Sequence, residues 1–170
     1  MKNLLPANHG IIDIDCGGMP DITVRKEIFD LEKRMQEAID NSEVAEVDTE
    51  EWVNHIFAPG VYAREMTIKK GQLIIGKIHK TSHINIISKG DISVKTQFGT
   101  WRYQAPCSFV SEVGTKRVVF AHEDTVWTTI HPTEETDLDK IEEDVIAKSY
   151  DEIPNIDGPP KPKLIEGGDV

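Results

Sequence analysis

The chain has 170 residues, of which 38% are hydrophobic, and this length and composition suit one domain with a single core. Its 30 acidic residues outnumber its 19 basic residues, so the net charge is −11. Nucleic acids and anionic membranes are bound through clustered Lys and Arg, and we therefore expect neither as a partner. No apolar run approaches the ~20 residues that span a bilayer.

The first residues of the chain and its two cysteines indicate the expected cellular compartment. Met1–Pro6 is apolar too briefly for a signal peptide. Cys16 and Cys107 are too few for a disulfide framework, so we expect free thiols. Both features are typical of a protein of a reducing compartment such as the cytoplasm.

Two helices are predicted in an N-terminal arm, residues 1–57. The first runs from Pro20 to Asn41, where apolar residues recur at spacings of three and four. Its stripe consists of Val24, Ile28, Leu31, Met35 and Ala38 or Ile39. This narrow stripe packs either on the domain's own sheet or against a helix of another copy. The second helix is predicted over Asp48–Phe57, because Asp48 and Glu51 fit a capping box.

From residue 58 to residue 132 the pattern changes to short β-rich runs separated by turns. Such runs without intervening helices predict an antiparallel sandwich or barrel. The predicted strands are Tyr62–Ile68, Gln72–His79, His83–Ser88, Asp91–Gln97, Trp101–Tyr103, Ser108–Ser111, Arg117–Ala121 and Thr125–His131. For residues 133–153 we expect an acidic helix with a stripe of Leu138, Ile141, Val145 and Ile146, and for residues 154–170 a flexible tail rich in Pro and Gly.

Three histidines of the β region are candidate metal ligands. His79 and His83 flank the turn Lys80–Ser82, so we expect them at the facing ends of two paired strands. A hairpin centred on Asp124 would pair Arg117 with His131. Three imidazoles, His79, His83 and His131, would leave open positions on zinc, iron, nickel or manganese. His9, His55 and His122 are expected at the surface.

The same region suits a small anion as well as a metal. Arg117, Asn85 and Trp127 would surround an anionic or phosphorylated molecule, with the indole ring as a stacking surface. A cation beside a metal is unfavourable unless an anion bridges them. The plainer alternative is that the histidines are satisfied by backbone groups and that Trp127 belongs to the core.

Two motifs in the β region resemble those of the cupins, which are small jelly-roll barrels. In the first motif Gly71 and Gly90 match the glycines and His79 matches the second histidine. His83 replaces the glutamate, and Lys77 replaces the first histidine. In the second motif Gly99 matches the first glycine, Glu112–Gly114 replaces proline-x-glycine, and Arg117 replaces the histidine. The resemblance implies a cupin-type antiparallel jelly roll with an altered ligand set, in which Lys77 contacts the ligand.

Several segments are also similar to uncharacterised cupin-like proteins of bacteriophages. These segments are Phe57–Glu65, Gly76–Lys80, Gly114–Arg117 and Asp124–His131. The similarity implies a phage origin, with the protein in the host cytoplasm or in a virion.

Three functional hypotheses follow from these observations. The first is a binding protein that holds a metal ion or a small anion at one mouth of the barrel, the second a virion structural or assembly protein, and the third a metal-dependent enzyme acting on a small molecule. Catalysis needs a general acid or base, for which Glu65 and Glu123 are the candidates. Under each hypothesis we expect a homo-oligomer.

Overall fold

The computed structural model describes residues 20–45, 48 and 50–153. The predictions for His9, Cys16 and the tail 154–170 lie outside the described residues. Among the described residues, neither helix is long and apolar enough to cross a membrane.

Eleven strands and two α-helices make up the described part of the chain. Helix α1 spans Ile22–Asp40 and helix α2 spans Leu138–Val145, while Glu50–Trp52 and Tyr150–Glu152 are short 3-10 turns. The strands are β1 (Val53–Ala58), β2 (Val61–Ile68), β3 (Leu73–Ile75), β4 (Ile78–His79), β5 (His83–Lys89), β6 (Asp91–Thr96), β7 (Gly99–Gln104), β8 (Cys107–Ser111), β9 (Arg117–Ala121), β10 (Thr125–Pro132) and β11 (Ile146–Ala147).

Two antiparallel sheets form the body of the protein. The five-stranded sheet has the order β1-β2-β10-β5-β8 and the four-stranded sheet has the order β3-β9-β6-β7. Along the chain the strands pass repeatedly from one sheet to the other, which is the double-sheet topology of a jelly roll. The predicted fold class, a mainly β antiparallel jelly roll with helices at both ends, is confirmed.

The core lies between the sheets and is formed by the inward positions of both. Alternation along β5 places every second residue inside, so Ile87 is fully buried while Ile86 is exposed. The remaining core residues come from five other strands: Ile68, Ile92, Val94, Tyr103, Val119, Ala121 and Trp127. The two faces therefore interdigitate around one apolar cluster.

The predicted helix over Asp48–Phe57 is wrong. Only Glu50–Trp52 turns, and Val53–Ala58 is strand β1, paired along its whole length with β2. The sequence does contain a capping pattern and a helical spacing of apolar residues. However, Val53–Ala58 forms a complete ladder of backbone hydrogen bonds with β2, and this pairing favours the strand. Gly60, with a positive φ of 74°, makes the tight turn between the two strands.

Two predicted strand pairings are also wrong. The run Gln72–His79 breaks into β3 and β4, and β4 pairs with β11 rather than with β5. Strands β9 and β10 do not form a hairpin, because β9 lies in the four-stranded sheet and β10 in the five-stranded sheet. Arg117 is therefore opposite Thr96 in its own sheet, and His131 is opposite Tyr62.

The helices pack on the barrel. The Asp21 carboxylate caps α1 by accepting from the Thr23 amide, and Ile28 is buried on the packed face. Ion pairs from Glu27 to Lys95 and from Glu32 to Lys116 hold α1 against the four-stranded sheet. The described structure thus agrees with the alternative in which this helix lies on its own domain.

The C-terminal segment forms a second, smaller cluster. Strand β11 pairs with β4, and Ile78, Ala147 and Ile153 pack together. The Lys80 ammonium donates to the Glu143 carbonyl and pairs with the Glu152 carboxylate. This segment anchors β4, the strand that ends in His79.

Replacing Gly90 with alanine should destabilise the barrel far more than the same change at Gly71. Both glycines have positive φ, which costs a residue with a Cβ about 1–2 kcal/mol. At Gly90 a Cβ would also lie 2.6 Å from the Asp124 carbonyl oxygen, whereas at Gly71 nothing lies within 4 Å. We expect the extra overpacking at Gly90 to cost about 1–3 kcal/mol more. Urea unfolding of both variants measures the difference, and equal losses would contradict the packing described here.

Candidate metal and anion site

One mouth of the barrel collects the ends of four strands. His79 ends β4, His83 begins β5, Arg117 begins β9, and His131 is the penultimate residue of β10. In an antiparallel sheet the first residue of one strand lies beside the last residue of its neighbour. These four residues therefore lie at the same mouth of the barrel although they are distant in sequence. The structure thus brings together all three predicted metal ligands and the predicted arginine, by a route other than the predicted hairpins.

The three imidazoles lie against one another. The ring centroids are 4.2 Å apart for His79 and His83, 4.7 Å for His83 and His131, and 5.8 Å for His79 and His131. One ligand nitrogen from each ring lies within 4.8 Å of the others. His83 and His131 are buried and His79 is half-buried. The cluster can therefore supply three ligands to one metal ion.

Burial and a nearby cation keep these histidines neutral. Burial first, and then the Arg117 guanidinium, lowers the pKa of His83 to about 3 and that of His131 to about 4. The pKa of His79 is held well below its usual value by the same two causes, in the same order. A neutral imidazole has a lone pair for a metal, so the site is in the ligating form at neutral pH.

The hydrogen bonds of the three rings differ. Nδ1 of His79 and Nδ1 of His131 are buried and have no hydrogen-bond partner among the described residues. Nδ1 of His83 lies 3.2 Å from the Thr81 carbonyl oxygen, and its Nε2 lies 3.3 Å from the Arg117 guanidinium. Buried polar atoms without partners are uncommon, and two in one cluster fit a group that is bound there.

Arg117 is a buried cation surrounded by neutral groups. Its Nη1 donates to the Asn85 side-chain oxygen at 3.1 Å and its Nη2 to the Ser111 hydroxyl at 2.8 Å. The guanidinium carbon lies 5.2 Å from the centre of the Trp127 ring. Burial lowers the pKa of Arg117 to about 10, so it remains charged at neutral pH. Among the described residues no carboxylate pairs with it.

Asn85 is fully buried and connects Ser111, Arg117 and Trp127 through its side-chain hydrogen bonds. Its side-chain oxygen accepts from Arg117 and from the Trp127 indole nitrogen, at 3.1 and 2.9 Å. Its amide nitrogen donates to the Ser111 hydroxyl at 2.9 Å. Trp127 consequently belongs to the apolar core and also contacts Asn85 and Arg117.

Ser111 and Tyr62 were missed at the sequence level. Ser111 ends β8 opposite His83, and only the correct strand pairing identifies it as a neighbour of Arg117. The Tyr62 ring lies 6.2 Å from that of His131 on one side, and its hydroxyl lies 2.8 Å from His55 Nδ1. Neither residue belongs to a recognisable motif, so residue type alone carried no signal.

Lys77 and the two candidate glutamates lie elsewhere. Lys77 is exposed and pairs with Glu142 of α2. Glu65 points to the outer face of the sheet, where it accepts from Asn54 and Thr128. Glu123 precedes β10, at the end of that strand opposite to His131. The structure does not bring these side chains to the histidine cluster.

A small cavity lies beside Arg117, and none of the three histidines lines it. It has a volume of about 30 Å³, close to that of one water molecule. Its lining combines polar and aromatic side chains: Thr96, Ser111, Glu112, Thr115 and Arg117, with Phe98, Trp101, Tyr103 and Phe109. The cavity has room for a group the size of a water molecule.

The chain is similar in fold to several solved structures. No family model and no curated protein sequence matches the chain. Solved structures that resemble it include KdgF from Halomonas sp., 18% identical over 57% of this chain and 92% of that one, with a TM-score of 0.44. Ectoine synthase from P. lautus is 14% identical over 57% and 75%, with a TM-score of 0.47. A cupin-2 domain protein from Shewanella frigidimarina is 14% identical over 58% and 99%, with a TM-score of 0.42.

Replacing Asn85 with alanine should lower the free energy of unfolding by about 2–3 kcal/mol, because buried donors of Arg117 and Trp127 lose their acceptor. Urea unfolding measures the loss. Asn54→Ala is the matched control, since Asn54 is exposed and its removal should cost no more than about 0.5 kcal/mol. Equal effects of the two substitutions would contradict the role of Asn85 in the network.

Proposed function

We propose that the protein is a cupin-like binding protein whose barrel mouth holds a divalent transition metal at His79, His83 and His131 and a small anion at Arg117. The observation that carries the proposal is the convergence of three neutral imidazoles beside a buried arginine that pairs with no carboxylate of the described residues. A three-histidine set leaves positions open for water or for the anion.

The donor set supports zinc, iron, nickel or manganese. Imidazole nitrogen is a ligand for all four, whereas magnesium and calcium prefer oxygen. The unpartnered Nδ1 atoms of His79 and His131 are available without breaking any hydrogen bond. When bound, such a metal would supply a positive centre that polarises its open-site ligand.

Arg117 supports the anion. Burying a guanidinium is costly unless it is paired, and the neutral oxygens of Asn85 and Ser111 compensate for only part of that cost. A carboxylate or phosphate oxygen would provide the missing charge and would also offset repulsion between Arg117 and the metal. Metal and anion should therefore bind more tightly together than alone.

A second candidate is an anion pocket that binds no metal. The observation that favours it is the contact between Arg117 and Nε2 of His83, since this contact occupies a lone pair that a metal would use. The histidines would then be neutral hydrogen-bonding groups that line the pocket.

The remaining hypotheses start from sequence. A phage origin, with action in the host cytoplasm or in a virion, rests on the resemblance of the segments around Phe57–Glu65 and Asp124–His131. A metal-dependent enzyme would need an acid or base, and neither Glu65 nor Glu123 contacts the cluster. The position of these two glutamates favours binding over catalysis.

The chain purified without a histidine tag should contain nearly one equivalent of zinc, iron, nickel or manganese by elemental mass spectrometry. His79→Ala/His83→Ala should lose this metal and remain folded by circular dichroism, because two of three ligands are removed from the rim of the barrel. His122→Ala is the matched control, because His122 lies at the end of β10 opposite to His131 and should leave the metal content unchanged.

Two results would count against the metal site. A metal-free chain that takes up none of the four ions on titration would favour the anion pocket alone. Unfolding of the double variant would assign the histidines a structural role, and the single variant His79→Ala, at the half-buried position, then tests binding without loss of fold.

Anion binding should depend on the charge of Arg117 and on the neutrality of Asn85. We expect Arg117→Met to weaken binding of acetate or inorganic phosphate at least tenfold, about 1.4 kcal/mol, by calorimetry. Asn85→Asp should weaken it similarly while keeping the fold, because its carboxylate would pair with Arg117 in place of the anion. Lys77→Met is the control, since Lys77 pairs with Glu142 outside the site. Undiminished binding in Asn85→Asp would overturn this assignment.

A further inference from the structure

The outer face of the five-stranded sheet carries an apolar row that crosses all five strands. The strand registers align Ile56 with Ala63, Ala63 with Ile130, Ile130 with Ile84, and Ile84 with Val110. Ile56 and Val110, at the two ends of the row, are each 49% exposed, and Ile84, next to Val110, is 48% exposed. Single exposed apolar residues are ordinary, but a continuous row of them on a sheet face marks an interaction surface.

Charge is almost absent from this face. The row on one side of the apolar row is Ala58, Val61 and Pro132, and the row on the other side includes Ile86 and Thr128. Within these three rows of the described strands, Glu65 is the one charged residue, and its carboxylate already accepts from Asn54 and Thr128. Charged residues make up 29% of the whole chain. Depletion of charge is the compositional mark of an interface core.

We propose that this face binds the same face of a second copy of the chain, forming a two-fold symmetric dimer. Each copy carries a net charge of −11, so two copies repel each other wherever their acidic surfaces approach. On this face Glu65 is the one carboxylate among the described strand residues of the three rows, so two copies can approach here with little repulsion. A basic partner, in contrast, would be drawn to the acidic surfaces and would gain little from an uncharged face.

The size of the face is sufficient for a reversible dimer. The three rows comprise thirteen strand positions, and at about 4.8 by 6.8 Å per position they cover roughly 420 Å² per copy. Two such faces bury about 850 Å² in total, within the small size class of weak, transient contacts. We therefore expect a dimer that dissociates on dilution. Salt should strengthen it, because salt screens the repulsion between the two acidic chains.

The experiment is sedimentation equilibrium of the full chain over a wide range of protein concentration. The wild-type chain should sediment at twice its monomer mass at high concentration, and Ile84→Lys and Ile56→Lys should each raise the dissociation constant at least tenfold. Lysine lowers the net negative charge of each copy, so weaker association could not be attributed to greater overall repulsion. Both side chains are half exposed, and circular dichroism should show an unchanged fold.

Leu73→Lys is the matched control, since Leu73 is 39% exposed on the outer face of the other sheet and should leave the dimer intact. A wild-type monomer at every concentration would overturn the proposal and leave the face to a different protein. A dimer insensitive to both substitutions, or one that Leu73→Lys dissociates equally, would overturn it too. Binding of metal and of anion at the barrel mouth is a separate readout, so the two proposals can fail independently.

Discussion

The buried guanidinium of Arg117 sets the chemistry of the barrel mouth. A cation removed from water without a carboxylate must be stabilised by neutral oxygens, and Asn85 and Ser111 provide them. Burial, reinforced by the same positive charge, lowers the pKa of His83 and of His131 and keeps both unprotonated. Arg117 thus helps to keep the imidazoles in the form that binds a metal, and it places an uncompensated positive charge beside them. A carboxylate beside Arg117 would neutralise that charge.

The site also joins the two sheets. Arg117 begins a strand of the four-stranded sheet, while Asn85, Ser111 and Trp127 belong to the five-stranded sheet. Their hydrogen bonds cross the inside of the barrel where apolar packing gives way to the polar mouth. Such a network is stable only when every member is satisfied, so these hydrogen bonds contribute to the stability of the fold. Substitutions there must be judged on stability and on ligand binding together.

The two large surfaces of the protein differ in character. Helix α1 is held against the four-stranded sheet by ion pairs of Lys95 and Lys116. The five-stranded sheet has no such cover among the described residues and presents apolar side chains, including Ile84 and Val110, at half exposure. In a chain this acidic, an uncharged face is the region where association with another copy meets the least repulsion.

Local patterns in the sequence determined the elements: the spacing of Val24, Ile28 and Leu31 predicts a helix, and the turn residues and β-rich runs predict an antiparallel barrel. Residue chemistry and predicted strand position together singled out His79, His83, His131 and Arg117, although the hairpin expected to pair Arg117 with His131 does not form. Tertiary structure decided which strands pair, since that choice depends on contacts distant along the chain. Hence β1 is a strand despite its capping signal, Ser111 joins the site, and Lys77 pairs with α2. No local pattern encodes these outcomes, because each depends on which neighbour the completed jelly roll provides.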